Sequence, residues 1–323
     1  MFIALGSAEA ASPAIAPRRY MRRYIVAMAI GAILMAAMMV GTAAFLHSRN
    51  ALPPPQFSNS ICIDEKLRIM REMPPQSPNL LVVGSSVAWR HFNSTAAMAF
   101  DASLRPYNAG LCGQAINQTT ETTRWLLGRL PSVRHVMLLA SPLDFEDCAS
   151  EANNLNFSDV DAYVFGGQSA WRYYLRYFDP VTFLSNAHGL AARRTDAGSF
   201  GTLVIDRFGD GPMEPRHDRG MFYKEMGSHD PACFAALGQL AALTGAQGQT
   251  LDVVLTPVSP DWVQLYDPER QKLGQLQDSI RRASKRSGIR FIDMHDAFSD
   301  EQQFVDAIHL RWSATAEFTR AIL

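Results

Sequence analysis

The sequence has no surplus of positive charge, no paired-cysteine motif, no phosphate loop and no internal repeat. Thirty Lys and Arg against 31 Asp and Glu leave a formal net charge of −1. Binding to a phosphate backbone needs a basic excess that this balance lacks, which argues against a nucleic-acid partner. The four cysteines, Cys62, Cys112, Cys148 and Cys233, stand too far apart for the C-x-x-C pairs of a zinc site. The turn "GSSVAW" lacks the lysine and second glycine of a nucleotide-binding loop. With no flavin or metal motif in view, no cofactor is expected.

What is present begins with one long apolar run. "YIVAMAIGAILMAAMMVGTAAFL", Tyr24 to Leu46, carries no charge and is long enough to cross about 30 Å of hydrocarbon as a helix. Arg18, Arg19, Arg22 and Arg23 precede it, and only Arg49 follows closely. The positive-inside bias therefore predicts a cytoplasmic tail over 1–23, a span over 24–46 and the remainder outside. Thr42, Ala43 and Ala44 would offer a protease small residues, but the run exceeds the roughly 7–15-residue apolar region of a cleaved leader, which favours a retained anchor. The expected location is the inner (cytoplasmic) membrane, single-pass, with the globular part periplasmic or otherwise extracytoplasmic. Disulfides persist in such a compartment. Four cysteines allow three pairings, and free buried thiols are an equal alternative.

"ALPPPQFSNS", residues 51–60, reads as a stiff proline-led linker, within a connection over 47–60. The remaining 61–323 is long and apolar enough to bury a full core. Five short apolar runs look like parallel strands: "NLLVVG" from Asn79, "RPYNAG" from Arg105, "RHVMLLAS" from Arg134, "LDVVLTPVS" from Leu251 and "IRFIDM" from Ile289. Continuous rather than alternating apolarity is the mark of strands covered by helices on both faces. Pro106 places the second run near an edge. A helix is expected from an Asp267 cap and Pro268 to a stop at Gly288, and another over "QAINQTTETTRWLLGRLP". Strands alternating with helices predict a three-layer α/β/α sandwich with a five-stranded parallel sheet. Residues 148–230 are too long for a crossover and read as an insertion. Its aromatic-basic piece, Trp171 to Phe178, suits a carbohydrate or partner surface, or equally an amphipathic helix with snorkelling arginines.

Ligands of open parallel sheets bind beyond the carboxyl ends of the strands. Gly84, Ser85 and Ser86 follow the first run, where a serine at a helix N-terminus is a nucleophile or simply a cap. Asn108, Gly110 and Gly113 follow the second, in a turn that would let a backbone N–H approach an oxyanion. Near the C-terminus, Asp306 stands three residues before His309, a spacing that lets one segment present a base and the carboxylate that orients it. His295, just after the fifth run, is the second candidate base.

In this order of blocks the chain resembles the SGNH (GDSL-type) hydrolase superfamily over about residues 79–323, with the insertion outside the resemblance. The resemblance implies an SGNH-hydrolase, flavodoxin-like sheet. It implies Ser86 as nucleophile, His309 as base with Asp306 behind it, and an oxyanion hole from the N–H groups of Ser86 and Gly113. Ser85 replaces the family aspartate of the first block, a variation also found in membrane-associated relatives. The third block departs further, because Leu143 stands at the family's asparagine position while Asp144 is kept. Leucine donates no hydrogen bond, and losing one oxyanion donor costs on the order of 10²–10³ in rate. Asn117 and Ser141 are the conceivable substitutes, neither strongly supported. Asp144, Glu146 and Asp147, with no histidine near in sequence, read as a solvated or capping cluster rather than a metal site. An anchored, outward-facing member resembles the accessory proteins of alginate, cellulose and peptidoglycan acetylation and of teichoic-acid D-alanylation. That implies a serine acyltransferase or esterase on a glycan or acyl-ester substrate beside a multispanning membrane-bound O-acyltransferase. The alternative is a non-catalytic glycan-binding or assembly protein, which Leu143 motivates.

Overall fold

The computed structural model of the chain describes residues 18–149, 154–217, 219–223 and 225–323; most of the segment read as a cytoplasmic tail lies outside them. The chain divides into two compact units, residues 1–52 and 53–323. In the first, Arg18–Ser48 is one helix, and the most apolar 18 residues within its stretch Tyr20–Ser48 have a mean hydropathy of 2.3. These 29 residues run to roughly 44 Å at the helical rise, long enough to cross a membrane.

The second unit is built on five parallel strands, β1 (Leu80–Gly84), β2 (Pro106–Asn108), β3 (His135–Ala140), β4 (Thr250–Leu255) and β5 (Arg290–Asp293). Their order is β2-β1-β3-β4-β5. Alternate residues of the central strands feed two cores. Leu81, Val83, Val136, Leu138, Val253 and Leu255 face helices Ile116–Leu127, Pro231–Ala246 and Gln271–Ser287. Leu80, Val82, Met137, Leu139 and Val254 face helices Ser86–His91, Ser94–Phe100 and Trp312–Ile322. Both faces are therefore apolar, which is why each strand reads as an unbroken hydrophobic run, and the expected three-layer sandwich is the one found. Pro106 opens the edge strand β2, where a missing N–H costs least. The fourth run stops at Leu255, because Thr256 leads into Pro257, which has no N–H to donate.

Because β1 has β2 on one side and β3 on the other, the chain leaves its C-terminal end in one direction and returns in the opposite one. Such a switch point leaves a crevice at the strand ends. β1 closes on Gly84 with φ 140°, and a Cβ there would stand 2.0 Å from the Leu139 carbonyl oxygen.

Two sequence expectations are corrected. The helix expected from Pro268 starts at Gln271; Asp267 instead ends the helix Pro260–Tyr266 and caps the next one from a distance, accepting from Lys272 N at 3.2 Å and Leu273 N at 2.9 Å. The linker over 47–60 is not free along its length. Pro53, Pro54 and Pro55 are buried, and Phe57 sits among Tyr163, Tyr173 and Tyr177. Apolar rings bury better than they solvate, so the proline stretch is taken into the core. Within the insertion, Ala170–Arg176 is a short helix with Tyr173 fully buried while Trp171 and Leu175 stay exposed. The cysteines pair as Cys62–Cys112 and Cys148–Cys233.

Gly84→Ala should lower the unfolding free energy by about 3 kcal/mol or more, since a carbonyl of a central strand cannot retreat as a flexible side chain would. Chemical denaturation of the detergent-solubilised chain measures this, and an unchanged midpoint would mean that the β1–β3 spacing yields.

Candidate active site

The two serines after β1 have different partners. Ser85 is the N-cap of helix Ser86–His91: its Oγ accepts from Val87 N at 3.4 Å and donates to Asp144 Oδ2 at 2.8 Å. Its hydroxyl is thus committed to holding the turn. Ser86, the first helical residue, has a backbone N–H with no intrahelical acceptor. Its Oγ lies 2.9 Å from His309 Nε2.

The D-x-x-H spacing works by forming a turn. Asp306 Oδ1 accepts from the backbone N–H of Ile308 at 3.1 Å and of His309 at 2.9 Å, folding the segment back on itself. The imidazole is thereby brought to the same carboxylate, with Nδ1 at 2.9 Å from Oδ1 and 3.0 Å from Oδ2. A proton held on Nδ1 by the carboxylate leaves Nε2 as the acceptor facing Ser86. Burial pushes the Asp306 carboxyl up, but the His309 ring and the two N–H donors outweigh it and hold the group below its ordinary value. Ser86, His309 and Asp306, expected to act together, stand together.

Gly113 lines the same cleft, with φ 66°, a conformation that frees the backbone for close approach. Its loop is fixed from two sides. Asn108 Oδ1 accepts from Gly110 N at 3.0 Å while its Nδ2 donates to Ala88 O at 2.9 Å, and the Cys62–Cys112 disulfide ties the loop to helix Ile61–Glu72. Leu143 also lines the cleft and packs beside Ile308 and Trp262, so the third strand's turn offers no side-chain donor there. Neither suggested substitute fills the place: Asn117 is absent from the cleft wall, and Ser141 is fully buried with its backbone N–H bonded to Asp144 at 2.7 Å.

Asp144 differs most from its expected role. It is buried beneath the cleft, not solvated, and joins the ends of β1 and β3 through Ser85 and Ser141. Burial pushes its carboxyl up to about 7 against those two hydrogen bonds. Glu146 accepts from Gly227 N at 2.8 Å, and only Asp147 of the three is exposed. His295, the second candidate base, sits beyond β5 between Asp293 and Asp296, each 2.8 Å away, and is not part of the cleft.

The cleft has a volume of about 430 Å³. Much of its wall comes from residues with no motif to announce them. Arg193, Phe200, Met213, Arg219 and Tyr223 arrive from the insertion, and Arg219 reaches to 4.0 Å from Asp306. His91 stands edge-on behind His309, with ring centroids 6.1 Å apart, and accepts from Leu310 N at 3.0 Å. Burial first, then His309, pushes His91 well below its ordinary value, so it is a neutral strut. Its only sequence signal was its place five residues after Ser86 on a short helix.

Residues 240–322, which contain Asp306 and His309, match the family described as DltD protein. The match spans about a quarter of the chain. Among solved structures the chain is similar to a carbohydrate acetylesterase, Est24, from Sinorhizobium meliloti, at 11% identity and TM-score 0.40 over 75% of this chain and 95% of that one. A catalytic mutant of the acetylxylan esterase Axe2 from Geobacillus stearothermophilus aligns at 12% identity and TM-score 0.40, over 77% and 94%. A protein provisionally assigned as an arylesterase, from Agrobacterium tumefaciens, aligns at 14% and 0.41, over 75% and 94%. A comparison with curated proteins gives no match.

An acid raised in the folded state adds stability that is full below its unfolded value and is lost as pH rises through its folded one. Asp144, raised from 3.8 to about 7, should thus cost wild type stability between these values. Asp144→Asn keeps the acceptor for Ser85 and Ser141 but cannot ionise. Unfolding free energies measured from pH 4 to pH 7 should fall more steeply for wild type than for the variant, by on the order of 4 kcal/mol in total. Parallel curves would show that Asp144 does not change protonation on unfolding.

Proposed function

We propose that this chain is of the SGNH-hydrolase type and works as an extracytoplasmic serine acyltransferase or esterase acting on O-acyl groups of a cell-envelope or secreted glycan. The observation that carries the reading is the hydrogen-bonded chain from Ser86 through His309 to Asp306, with 2.9 Å at each link, opening into a cleft. His309 Nε2 takes the Ser86 proton as Oγ attacks the acyl carbonyl carbon, and Asp306 stabilises the imidazolium. The tetrahedral oxyanion is received by the N–H groups of Ser86 and Gly113. Collapse breaks the ester C–O bond, and His309 returns its proton to the leaving oxygen. A sugar hydroxyl or water, deprotonated in turn by His309, then releases the acyl group from Ser86.

The setting is supported by the apolar helix Arg18–Ser48 and by the DltD match. We place the N-terminus in the cytoplasm and the catalytic unit on the far side of the inner membrane, beside a multispanning O-acyltransferase that supplies the acyl group. The second reading, a non-catalytic glycan-binding or assembly protein, draws on one observation: Leu143 leaves the oxyanion hole without a side-chain donor.

A fluorophosphonate probe separates them. Wild type in detergent should be labelled and Ser86→Ala should not, whereas a folded wild type that resists labelling sinks the catalytic reading. Asp306→Asn, which loses the carboxylate that fixes the tautomer, should label on the order of 10³–10⁴ times more slowly. Supplying an acyl ester with and without an oligosaccharide distinguishes transfer from hydrolysis: acylated sugar by mass spectrometry means transfer, free acid alone means esterase.

A further inference from the structure

The cleft holding Ser86 is also lined by Trp89 and by two arginines, Arg90 and Arg193, that the acyl-transfer step does not use. Arg90 lies on the same short helix as Ser86 and is 6% exposed. Its guanidinium stacks on the Trp89 ring at 3.5 Å and donates to the carbonyls of Gly211 at 3.0 Å and Thr202 at 2.6 Å. Arg193, partly buried, donates from Nε to Gly201 O at 2.6 Å.

Among the described residues, no carboxylate lies within 4.0 Å of either guanidinium. The acids nearby are engaged elsewhere. Glu65 pairs with Arg68 and Arg194, and Asp210 holds Ser94 and Asn108. Lys66, also near Arg90, faces Asp206 and Asp210. Burial, then the charge of Arg193, pushes Arg90 down to about 9; burial also lowers Arg193, against a partial pull from the charge of Glu65. Carbonyl dipoles orient a guanidinium without neutralising it, and a desolvated charge is costly until an opposite one arrives. The planar fork of arginine suits the oxygens of a carboxylate or phosphate.

We propose that Arg90 and Arg193 form an anion subsite in the wall of the cleft, so that the sugar bound there carries an oxyanion, a uronate carboxylate or a phosphate. This rests on the cleft being the substrate site of the preceding reading and narrows its substrate to an acidic glycan.

Calorimetric titration of the full-length chain in detergent tests it with three probes: oligogalacturonate, mannose 6-phosphate and neutral xylo-oligosaccharide. One of the acids should bind, more weakly as salt rises, and which one does names the source of the anion. Arg193→Gln should weaken that binding by about tenfold and Arg193→Lys by less, with circular dichroism checking that both fold. Binding of the neutral sugar as tight as that of the acids, no binding of either acid, or an unchanged affinity in Arg193→Gln each overturns the proposal. Anion binding by a chain that the fluorophosphonate does not label would overturn the catalytic reading and leave the subsite standing. Labelling without anion binding does the reverse.

Discussion

The end of β1 touches β3 so closely that no side chain fits between them. Gly84 fills that point, and its backbone conformation aims the chain sharply into helix Ser86–His91. A second close approach lies beside it: a Cβ on Gly110 would come within 2.6 Å of Trp89 N. These two contacts set where the strand-end turns stop, and so where Ser86 and Gly113 stand relative to one another. Everything else at the site is fitted around turns that have almost no freedom to move.

Polar groups buried under the turns supply the rest of the rigidity. Asp144 is bonded to Ser85 and Ser141, Asn108 to Ala88 and Gly110, and His91 to Leu310. A buried polar group left unpaired costs about 1–3 kcal/mol, so each of these bonds resists displacement of the turn it joins. None of these bonds is made by the side chain of Ser86, His309 or Asp306. They fix the positions from which those three side chains project.

The sheet was legible in the sequence because burial on both faces leaves an unbroken apolar run, and the helices between the runs fixed the class. The meeting of Ser86, Asp306 and His309 was legible because it depends on short spacings, a strand end and a three-residue turn. The role of Asp144 was not, since its partners Ser85 and Ser141 meet it only when β1 and β3 pair. Arg90 and Arg193 gave no signal either. Their juxtaposition depends on how an insertion without periodicity folds over the sheet. The cap supplied by Asp267 was misread for a related reason: the residue serves a helix starting four positions on, across a bend that Arg270 makes at φ 55°.

The insertion is fastened where it leaves and re-enters the sandwich, by the bond between Cys148 just after β3 and Cys233 on helix Pro231–Ala246. Once two ends are held, doubling the length of the chain between them costs only about 0.6 kcal/mol in closure entropy. The segment that supplies Arg193, Phe200, Arg219 and Tyr223 to the cleft is therefore held at both ends whatever the length of its exposed turns. Changes of length are cheap only in its exposed turns, because Tyr163 and Tyr173 are buried in the core and Asp210 binds Ser94 and Asn108. Divergence among relatives built this way would concentrate in those turns and in what the cleft admits, leaving Ser86, His309 and Asp306 where they are.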